Sequence, residues 1–432
     1  MQAWRALPPW TRRKPYRLHA HRRHISLSPG ASDLPREVLI AGAARTPIGS
    51  FCGSLASLSA AHLSSAAMGA AMRRAGIEPP EVDMVMVGQA LAAGCGQNTA
   101  RQSSLLADIP ASVDCTGINK ACASGLKAVV LGAQAIAMGQ ADVAVVGGTE
   151  NMSRAPYIVR HARQGGYHYG HGVLEDVALL DGLWDATHDC HLGTCVEHTV
   201  RELDISREDQ DRYTISSYRR AADAWQRGAM DGEVAPVRVR NPSAKKGMDK
   251  RSLIVSVDEE YSRLKLDTVA SLPPVFEDGG TITAASASSL NDGAAALVLI
   301  SAARARDLEV SPLARIVSFA DSALEPLHFA KAPSAAIRAA MKAARMSSIN
   351  FYEIHEMFAA VALANMRLLE LDHSRVNING GGVSLGHPLG ASGARILCTL
   401  LNVLSQQDAE TGCAAIANGG GGATALVIER LR

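Results

Sequence analysis

The chain has 432 residues, of which 47% are hydrophobic and 20% are charged, and its 43 Lys and Arg nearly balance 42 Asp and Glu. This length supports a large buried core and predicts two or three domains. No apolar run reaches the roughly 18 residues of a membrane-spanning helix, and the balanced charge argues against a nucleic-acid-binding protein. The composition therefore predicts a globular protein of enzyme size, with neither a membrane nor nucleic acid as partner.

The first 32 residues are basic, since seven Lys and Arg precede the first acidic residue, Asp33. Such a segment is typical of a mitochondrial transit peptide, and it lacks the continuous apolar stretch of a secretory signal. A disordered basic tail is the alternative, because Pro8, Pro9 and Pro15 disfavour a helix. We expect residues 1–33 to direct the chain to the mitochondrial matrix, and their removal would leave 36 basic and 41 acidic side chains.

Short β-branched runs alternate with alanine-rich stretches from residue 37 onward. "EVLIAGAA" is followed by "SLSAAHLSSAAMGAAMRRAG" and then by "VDMVMVGQAL". This alternation predicts an α/β fold with a buried, largely parallel sheet covered by helices on both faces.

An internal sequence repeat indicates that the fold contains two similar halves. "ASGLKAVVLGAQAIAMGQADVAVVGGTEN" from Ala123 and "ASGARILCTLLNVLSQQDAETGCAAIANGGGG" from Ala391 both run from Ala-Ser-Gly through a helix and a strand to glycines. The shared order favours a duplication, with residues 34–155 plus 289–310 as one half and 311–432 as the other. Two helix N-termini would then face one cleft.

Residues 156–288 are more polar, and we predict that they form an inserted loop domain over the cleft. A basic group in this segment could meet a phosphate, although such a charge run is also typical of a solvated loop; its members are Lys245, Lys246, Lys250 and Arg251.

The eight cysteines show no CxxC spacing, so we expect free thiols in a reducing compartment. One local cluster has metal-ligating side chains, but its spacing fits no known zinc pattern. Its members are His188, Cys190, His191, Cys195 and His198.

Cys122, in "NKACASGLKAVV", directly precedes a small-residue helix start. Backbone N–H groups and the positive end of the helix dipole would favour a thiolate there. The dipole supplies only about 0.3–1 kcal/mol, whereas lowering a thiol pKa from ~8.5 to ~7 takes about 2 kcal/mol. A nucleophilic Cys122 therefore needs a base nearby, and otherwise it is a packed core residue.

His387 is the candidate base. It lies in the glycine-rich stretch "NINGGGVSLGHPLGASGAR", just before the helix predicted in the second copy of the repeat. There it could take the Cys122 proton. A surface turn histidine is the alternative, but so long a glycine-rich loop has little packing reason to exist.

Five stretches together resemble the thiolase family over residues 37–432: "NKACASGLKAV", "GGTENMS", "LNDGAAALV", "NINGGGVSLGHPLGASGAR" and "NGGGGATALVIE". In sequence, these stretches are most similar to mitochondrial members of the family that act on acetoacetyl-CoA. The resemblance implies two mirrored βαβαβαββ halves in five α-β-α-β-α layers, an inserted CoA-binding loop domain, and a homodimer or homotetramer.

The resemblance also implies an acetyl-CoA C-acetyltransferase that requires no cofactor and handles acetyl-CoA, acetoacetyl-CoA and CoA. Cys122 would be acylated with help from His387, and the backbone amides of Cys122 and Gly419 would form an oxyanion hole. His387 would also belong to a second oxyanion hole, which steadies the enolate of the incoming acetyl-CoA.

The ligand contacts implied by the resemblance come from several segments. Those for CoA are His191, Leu192, Tyr218, Arg263, Ser288, Met357 and Phe358. Mitochondrial members bind a potassium ion beside the CoA site, and its ligands here would be Tyr218, Ala284, Ala285, Ala287 and Val383.

The chain departs from the family pattern at two places. "HEMF" replaces Asn-Glu-Ala-Phe, so His355 stands where an asparagine holds a catalytic water, and Met357 should narrow the acyl pocket. Ala417 stands where the family has a second cysteine as acid/base. Cys413 cannot substitute, because four residues along a strand span about 13 Å.

Three functions stay open at this point. Acylation of Cys122 could survive while carbon–carbon bond formation is slow or uses His355 as base. Cys122, His355 and His387 also resemble the Cys-His-His set of decarboxylating condensing enzymes. A CoA-binding pseudo-thiolase is the third reading, and Ala417 is its main support.

Overall fold

The computed structural model describes residues 34–160, 162–240 and 252–431. The predicted transit peptide and the basic group at residues 245–251 lie outside the described residues. No helix within these ranges is both long enough and apolar enough to cross a membrane.

Sixteen strands are found in the described ranges: β1 (Val38–Arg45), β2 (Gly49–Ser50), β3 (Met84–Gly88), β4 (Asp114–Ile118), β5 (Val143–Asn151), β6 (Tyr157–Ile158), β7 (Glu175–Asp176), β8 (Trp184–Asp185), β9 (Cys190–His191), β10 (Val237–Arg240), β11 (Ser252–Val255), β12 (Asn291–Ser301), β13 (Ala314–Ala323), β14 (Phe351–Ile354), β15 (Thr411–Asn418) and β16 (Gly422–Arg430).

Eleven α-helices accompany these strands in the same ranges: α1 (Ala60–Ala75), α2 (Thr99–Leu106), α3 (Ser124–Ala137), α4 (Val177–Gly182), α5 (Leu192–Glu202), α6 (Arg207–Gln226), α7 (Ala302–Asp307), α8 (Ala332–Ala344), α9 (Ala359–Leu369), α10 (Gly382–Leu385) and α11 (Leu389–Gln406).

The main sheet follows the order β14-β15-β16-β13-β1-β12-β5-β3-β4, and β2 pairs with β12. Its halves meet where β1 pairs briefly with β13. Each half repeats the same order around that junction, and an isolated bridge between Tyr352 and Val376 stands in for the outermost strand of the second half. The duplicated βαβαβαββ arrangement is therefore confirmed.

The prediction of a largely parallel sheet is wrong, because the sheet is mixed. β3 pairs in parallel with β4 and β5, and β14 pairs in parallel with β15. The pairs around the junction, including β1–β12, β5–β12 and β13–β16, are antiparallel. β15 and β16 are antiparallel and joined by a short turn, and β5 and β12 are antiparallel although a long segment that includes α4, α5 and α6 lies between them in the chain.

The alternating side chains of the strands pack into different core clusters. Ala144 and Val146 of β5, like Ile416 of β15, pack with the central helices α3 and α11. The opposite face of β5, with Val143 and Val145, packs with α1. In the second half, the face of the sheet opposite to Ile416 packs with α8 and α9. Period-two burial on both faces thus produces the five layers.

The polypeptide between β5 and β12 is joined to the main sheet by a buried ion-pair group. Arg45, at the end of β1, donates to Glu233 (2.6 Å) and to both carboxylate oxygens of Asp258 (2.7 and 2.9 Å). Burial alone would lower the pKa of Arg45, but the two carboxylates outweigh it and raise the pKa. The guanidinium therefore stays charged and fixes this segment over the sheet.

The first turns of α3 and α11 cross closely above β5, and three glycines make this possible. A Cβ added at Gly148 would lie 2.0 Å from the carbonyl oxygen of Gly390, and one at Gly125 would lie 2.7 Å from the same atom. No side chain larger than hydrogen fits without moving backbone.

We expect Gly148→Ala to lower the free energy of unfolding by at least about 2 kcal/mol, because the new methyl meets backbone rather than a flexible side chain. Gly69→Ala is the control, since its Cβ would approach only the end of the Arg73 side chain, at 3.2 Å, and alanine favours a helix interior by up to about 1 kcal/mol. Urea unfolding of both variants measures the difference, and equal stabilities would contradict the crossing.

Candidate active site

The loop that carries Cys122 is held against the second half of the fold. The Lys120 ammonium donates to Asp321 of β13 (2.5 Å) and to Thr424 of β16 (2.8 Å), and Lys127 reaches the other oxygen of Asp321 (2.6 Å). Burial would raise the pKa of Asp321, but these hydrogen bonds outweigh it and lower the pKa to about 2. The carboxylate thus stays ionised and anchors the loop across the junction.

The backbone turns sharply immediately before Cys122. Ala121 has φ of 46° in the left-handed region, and its N–H donates to the side chain of Asn119 (2.9 Å). The hydroxyl of Ser124 accepts from the N–H of Lys120 (2.8 Å). A non-glycine residue in this region is strained and must be held by its surroundings, and the turn delivers the sulfur to the beginning of α3.

The Cys122 side chain is 1% exposed. Burial raises the pKa of its thiol to about 12, although hydrogen bonds from the backbone N–H groups of Gly419 and Cys122 oppose the rise. The backbone N–H groups therefore favour the thiolate, as expected, but desolvation outweighs them in the resting protein. Ionisation of Cys122 requires a partner that takes the proton.

His387 has one ring nitrogen bonded and one free. Its Nδ1 lies 2.6 Å from the hydroxyl of Ser392, which itself donates to the carbonyl of Pro388 (2.9 Å). Because a hydroxyl has a single proton, Ser392 accepts from Nδ1–H of His387. The lone pair is therefore on Nε2, which is buried and has no hydrogen-bond partner. Burial lowers the pKa of His387 to about 3, so the ring is neutral.

His355 lies beside His387, with ring centroids 4.1 Å apart. Both nitrogens of His355 are buried without a hydrogen-bond partner. Burial, followed by the neighbouring His387, lowers the pKa of His355 well below its ordinary value. Two neutral imidazoles with free nitrogens can accept protons, which is an arrangement suited to acid–base chemistry.

Glu150, which ends the "GGTE" stretch of β5, connects the two halves beneath Cys122. Its carboxylate accepts from the backbone N–H groups of Ala90 (2.9 Å), Leu91 (3.2 Å) and Gly390 (3.0 Å). Gly390 belongs to the first turn of α11, so Glu150 fixes the helix that follows His387. Burial raises the pKa of Glu150 to about 7, against these donors.

One cavity brings together Cys122, His387 and several of the predicted CoA contacts. The predicted contacts that line it are His191, Leu192, Ser288, Met357 and Phe358, and the potassium candidate Ala287 joins them. Apolar residues that the sequence did not single out complete the wall, among them Met152, Leu183, Phe276, Leu290 and Leu389.

The remaining predicted residues lie outside the cavity wall. Gly419 reaches Cys122 through its N–H, and the ring of His355 contacts that of His387. Arg263 has a 62% exposed side chain, 3.6 Å from Glu260. Tyr218 is buried on α6, and the other potassium candidates, Ala284, Ala285 and Val383, likewise do not line the cavity.

His191 forms one side of the cavity and is held in place by its neighbours. Its ring stacks on Phe276 with centroids 4.7 Å apart, and its Nδ1 accepts from the N–H of Gly193 (2.9 Å). Burial lowers the pKa of His191 to about 4. The ring is therefore a neutral, flat wall at the start of α5.

Ser288 and Met357 join the two segments that face Cys122. Both the N–H and the hydroxyl of Ser288 donate to the carbonyl of Met357, at 3.0 and 2.8 Å. Because its own proton is used in this way, the Ser288 hydroxyl meets a ligand as a hydrogen-bond acceptor.

Glu356 is a buried residue of the HEMF segment to which the sequence assigned no role. Its carboxylate accepts from Tyr213 (2.8 Å), Ser217 (2.7 Å) and Asn377 (2.9 Å), and from the N–H of Val383 (3.2 Å). Four donors around one carboxylate fix the position of the neighbouring Met357 and Phe358. Only contacts distant in sequence reveal this, so no local pattern could have found it.

Ala417 and Cys413 lie in different core clusters. Ala417, paired with Ala423 across β15 and β16, packs in the cluster that contains Cys122. Cys413 packs in the outer cluster against α8. Cys413 is therefore not a replacement for a thiol at position 417.

Two family models match the chain: "Thiolase, N-terminal domain" over residues 38–303 and "Thiolase, C-terminal domain" over residues 310–430. Together they cover both halves of the fold and the segment between β5 and β12. The chain belongs to the thiolase family.

Named relatives agree with this assignment. The chain is 48% identical to "Acetyl-CoA acetyltransferase" of Schizosaccharomyces pombe over 91% of its length and 99% of the relative's. It is 47% identical to "Acetyl-CoA acetyltransferase, mitochondrial" of Bos taurus over 91% and 92%. The crystal structure of Acat5 thiolase from Ascaris suum in complex with coenzyme A superposes with a TM-score of 0.86 at 42% identity, covering 92% of this chain and all of the other.

We expect the raised pKa of Glu150 to appear in the pH dependence of stability. In the folded protein the carboxyl keeps its proton up to about pH 7, whereas an ordinary glutamate loses it near 4.5. The free energy of unfolding should therefore fall by about 3 kcal/mol as pH rises between these values, and then level off. The proton that favours the fold is present below pH 4.5 and lost as pH passes the folded pKa.

Urea unfolding of the wild type and Glu150→Gln between pH 4.5 and 8 tests this, because the glutamine cannot titrate. The difference between the two curves should decline with pH. Glu309→Gln, at an exposed turn, is the control that should run parallel to the wild type. A Glu150→Gln curve parallel to the wild type would show that Glu150 is ionised throughout.

Proposed function

We propose that the protein is an acetyl-CoA C-acetyltransferase, which interconverts two acetyl-CoA with acetoacetyl-CoA and CoA by a ping-pong route through acetyl-Cys122. The observation that carries the proposal is the Cys122 sulfur, which lies between two backbone N–H donors in a cavity that it shares with a neutral His387. The names of the relatives supply the substrate class.

In the first half-reaction, the thiol of Cys122 attacks the thioester carbonyl while its proton passes to Nε2 of His387. A neutral thiol and a neutral imidazole are the right starting pair, because the proton moves only as the carbon–sulfur bond forms. The N–H groups of Cys122 and Gly419 stabilise the oxyanion of the tetrahedral intermediate. His387 then returns the proton to the departing CoA sulfur.

In the second half-reaction, a proton must leave the methyl group of the next acetyl-CoA. The methyl side chain of Ala417 cannot accept it, and we assign this role to the lone-pair nitrogen of His355, which has no hydrogen-bond partner. Because the lowered pKa makes His355 a weak base, carbon–carbon bond formation should be slower than acylation. Loss of a positioned base typically costs about 10²–10⁴ in rate.

The wall formed by His191, Leu192, Ser288, Met357 and Phe358 would take the pantetheine end of CoA, and Arg263 would meet the nucleotide. An apolar wall with a few polar groups suits a thioester arm. Buried Met357 leaves room for a short acyl group next to Cys122.

A potassium ion would fit beside this wall, held by Tyr218, Val383 and the Ala284–Ala287 turn. Hydrogen bonds between Thr283 and Ser286 (2.9 Å) shape that turn. Tyr218 and backbone carbonyls offer only oxygen ligands, as hard cations prefer. Burial, then the charges of Glu260 and Glu356, raise the pKa of Tyr218, and the same charges favour a cation, which would order the turn next to the CoA arm.

We further propose that the mature protein is a homodimer or homotetramer in the mitochondrial matrix. The location is supported by the basic, acid-free composition of residues 1–32 and by the mitochondrial relatives, including that of Bos taurus, whereas the oligomeric state is what the resemblance to thiolases implies.

Incubation with acetyl-CoA should transfer one acetyl group to Cys122 with release of CoA, which peptide mass spectrometry detects. Cys122→Ala should show no adduct, and Cys52→Ala, at an exposed cysteine, should keep it. A wild-type protein that binds CoA without forming the adduct would instead be a CoA-binding pseudo-thiolase.

Ala417→Cys should raise the rate of condensation by at least about tenfold while changing acetylation of Cys122 little, because it restores a proton acceptor needed only for the second step. Single-turnover acylation and steady-state condensation, measured in potassium and in sodium buffer, separate the steps. Equal effects on both steps would refute the role given to position 417.

The Cys122–His355–His387 set also suits a decarboxylating condensing enzyme. A reaction with malonyl-CoA distinguishes that function from the acetyltransferase. Decarboxylation creates the carbanion without removal of a C–H proton. Carbon dioxide released from malonyl-CoA by acetylated protein would favour that function, and its absence would favour the acetyltransferase.

A further inference from the structure

A second group of ligand-type side chains lies at the far end of α5 from the cavity. His198 and Glu202 are one helical turn apart on α5, and His328 belongs to the 3₁₀ helix Pro326–Lys331 that packs against it. Within the described residues, each of the three offers a ligand atom within 4.8 Å of the others. The spacing of four residues places His198 and Glu202 on the same face of the helix.

The geometry of the group is close to that of a bound ion. Nδ1 of His328 lies 3.5 Å from a carboxylate oxygen of Glu202, and the rings of His198 and His328 meet edge to face with centroids 5.1 Å apart. Bonds of about 2.1 Å to a tetrahedral ion place its donors roughly 3.4 Å apart. Small side-chain rotations would therefore bring all three donors to an ion.

Two of the donors lack partners. The Nδ1 atoms of His198 and His328 are both buried without a hydrogen bond, and a buried unpaired polar atom costs about 1–3 kcal/mol. An imidazole nitrogen without a hydrogen-bond partner is available to bind a metal when the ring is neutral.

Lys331 forms an ion pair with the carboxylate of Glu202. Its ammonium lies 2.6 and 2.5 Å from the two oxygens of Glu202. An arriving cation would have to displace the ammonium from at least one oxygen and would be repelled by its charge. Other charges favour a cation, since Glu325 lies 3.9 Å from His328 and 3.8 Å from His188.

We propose that His198, Glu202 and His328 form a site for a divalent transition-metal ion such as Zn²⁺, with Lys331 as an internal competitor. Two imidazoles and one carboxylate suit such an ion, and three protein ligands leave one position for water. The ion would join α5 to the 3₁₀ helix. Since α5 begins beside His191 and Leu192 of the cavity wall, bound metal would also stiffen that wall.

Titration of the metal-free full-length protein with Zn²⁺, followed by calorimetry, tests the proposal. The site should account for one equivalent of zinc, with affinity reduced at least about tenfold in His198→Ala and in His328→Ala. Lys331→Met should bind zinc more tightly than the wild type. His171→Ala, at an exposed histidine, is the control that should leave the affinity unchanged.

The absorption spectrum of bound Co²⁺ distinguishes metal at this site from metal bound by cysteines. Cobalt held by two imidazoles and a carboxylate should show ligand-field bands without thiolate-to-metal charge transfer, and His328→Ala should abolish those bands. A charge-transfer band, zinc binding that survives both histidine substitutions, or a weaker affinity in Lys331→Met would each overturn the proposal. Thermal unfolding of each variant without metal verifies that it is folded.

Discussion

The close crossing of α3 and α11 is the constraint on which the site depends. The backbones of Gly125, Gly148 and Gly390 approach so closely that no larger side chain fits between them. Because Cys122 precedes one helix and His387 precedes the other, this contact sets the distance between nucleophile and base. Glu150 hydrogen-bonds the first turn of α11, and Lys120 reaches across to β13 and β16. Together they fix the same geometry from two further directions.

Burial gives this geometry its chemical character. It keeps the thiol of Cys122 protonated and the rings of His355 and His387 neutral, so that the resting site holds no charged nucleophile. The same exclusion of water strengthens the two N–H donors at the sulfur when an oxyanion develops. Such a site is weakly reactive at rest, and charge develops in it only when a thioester binds.

The sequence predicted the features that depend on local pattern. The repeated Ala-Ser-Gly helices predicted the duplication, and the long glycine-rich stretch marked His387, because glycines so dense need a reason in the fold. The prediction of a parallel sheet was wrong, since alternating elements define local order and not the pairing of β5 with β12, whose paired residues Asn151 and Asp292 are 141 positions apart. The role of Glu150, the tautomer of His387 and the protonated state of Cys122 depend on burial and on partners distant in sequence, which no local pattern contains.

The pairing of β1 also has a consequence for the order in which the protein can fold. The neighbours of β1 in the sheet are β12 and β13, and the buried carboxylates around Arg45 come from residues 233 and 258. A chain emerging from the ribosome therefore exposes the edges of its first strand until most of its length has been synthesised. Contacts of such sequence separation form slowly, so the nascent chain should remain open to chaperones throughout translation.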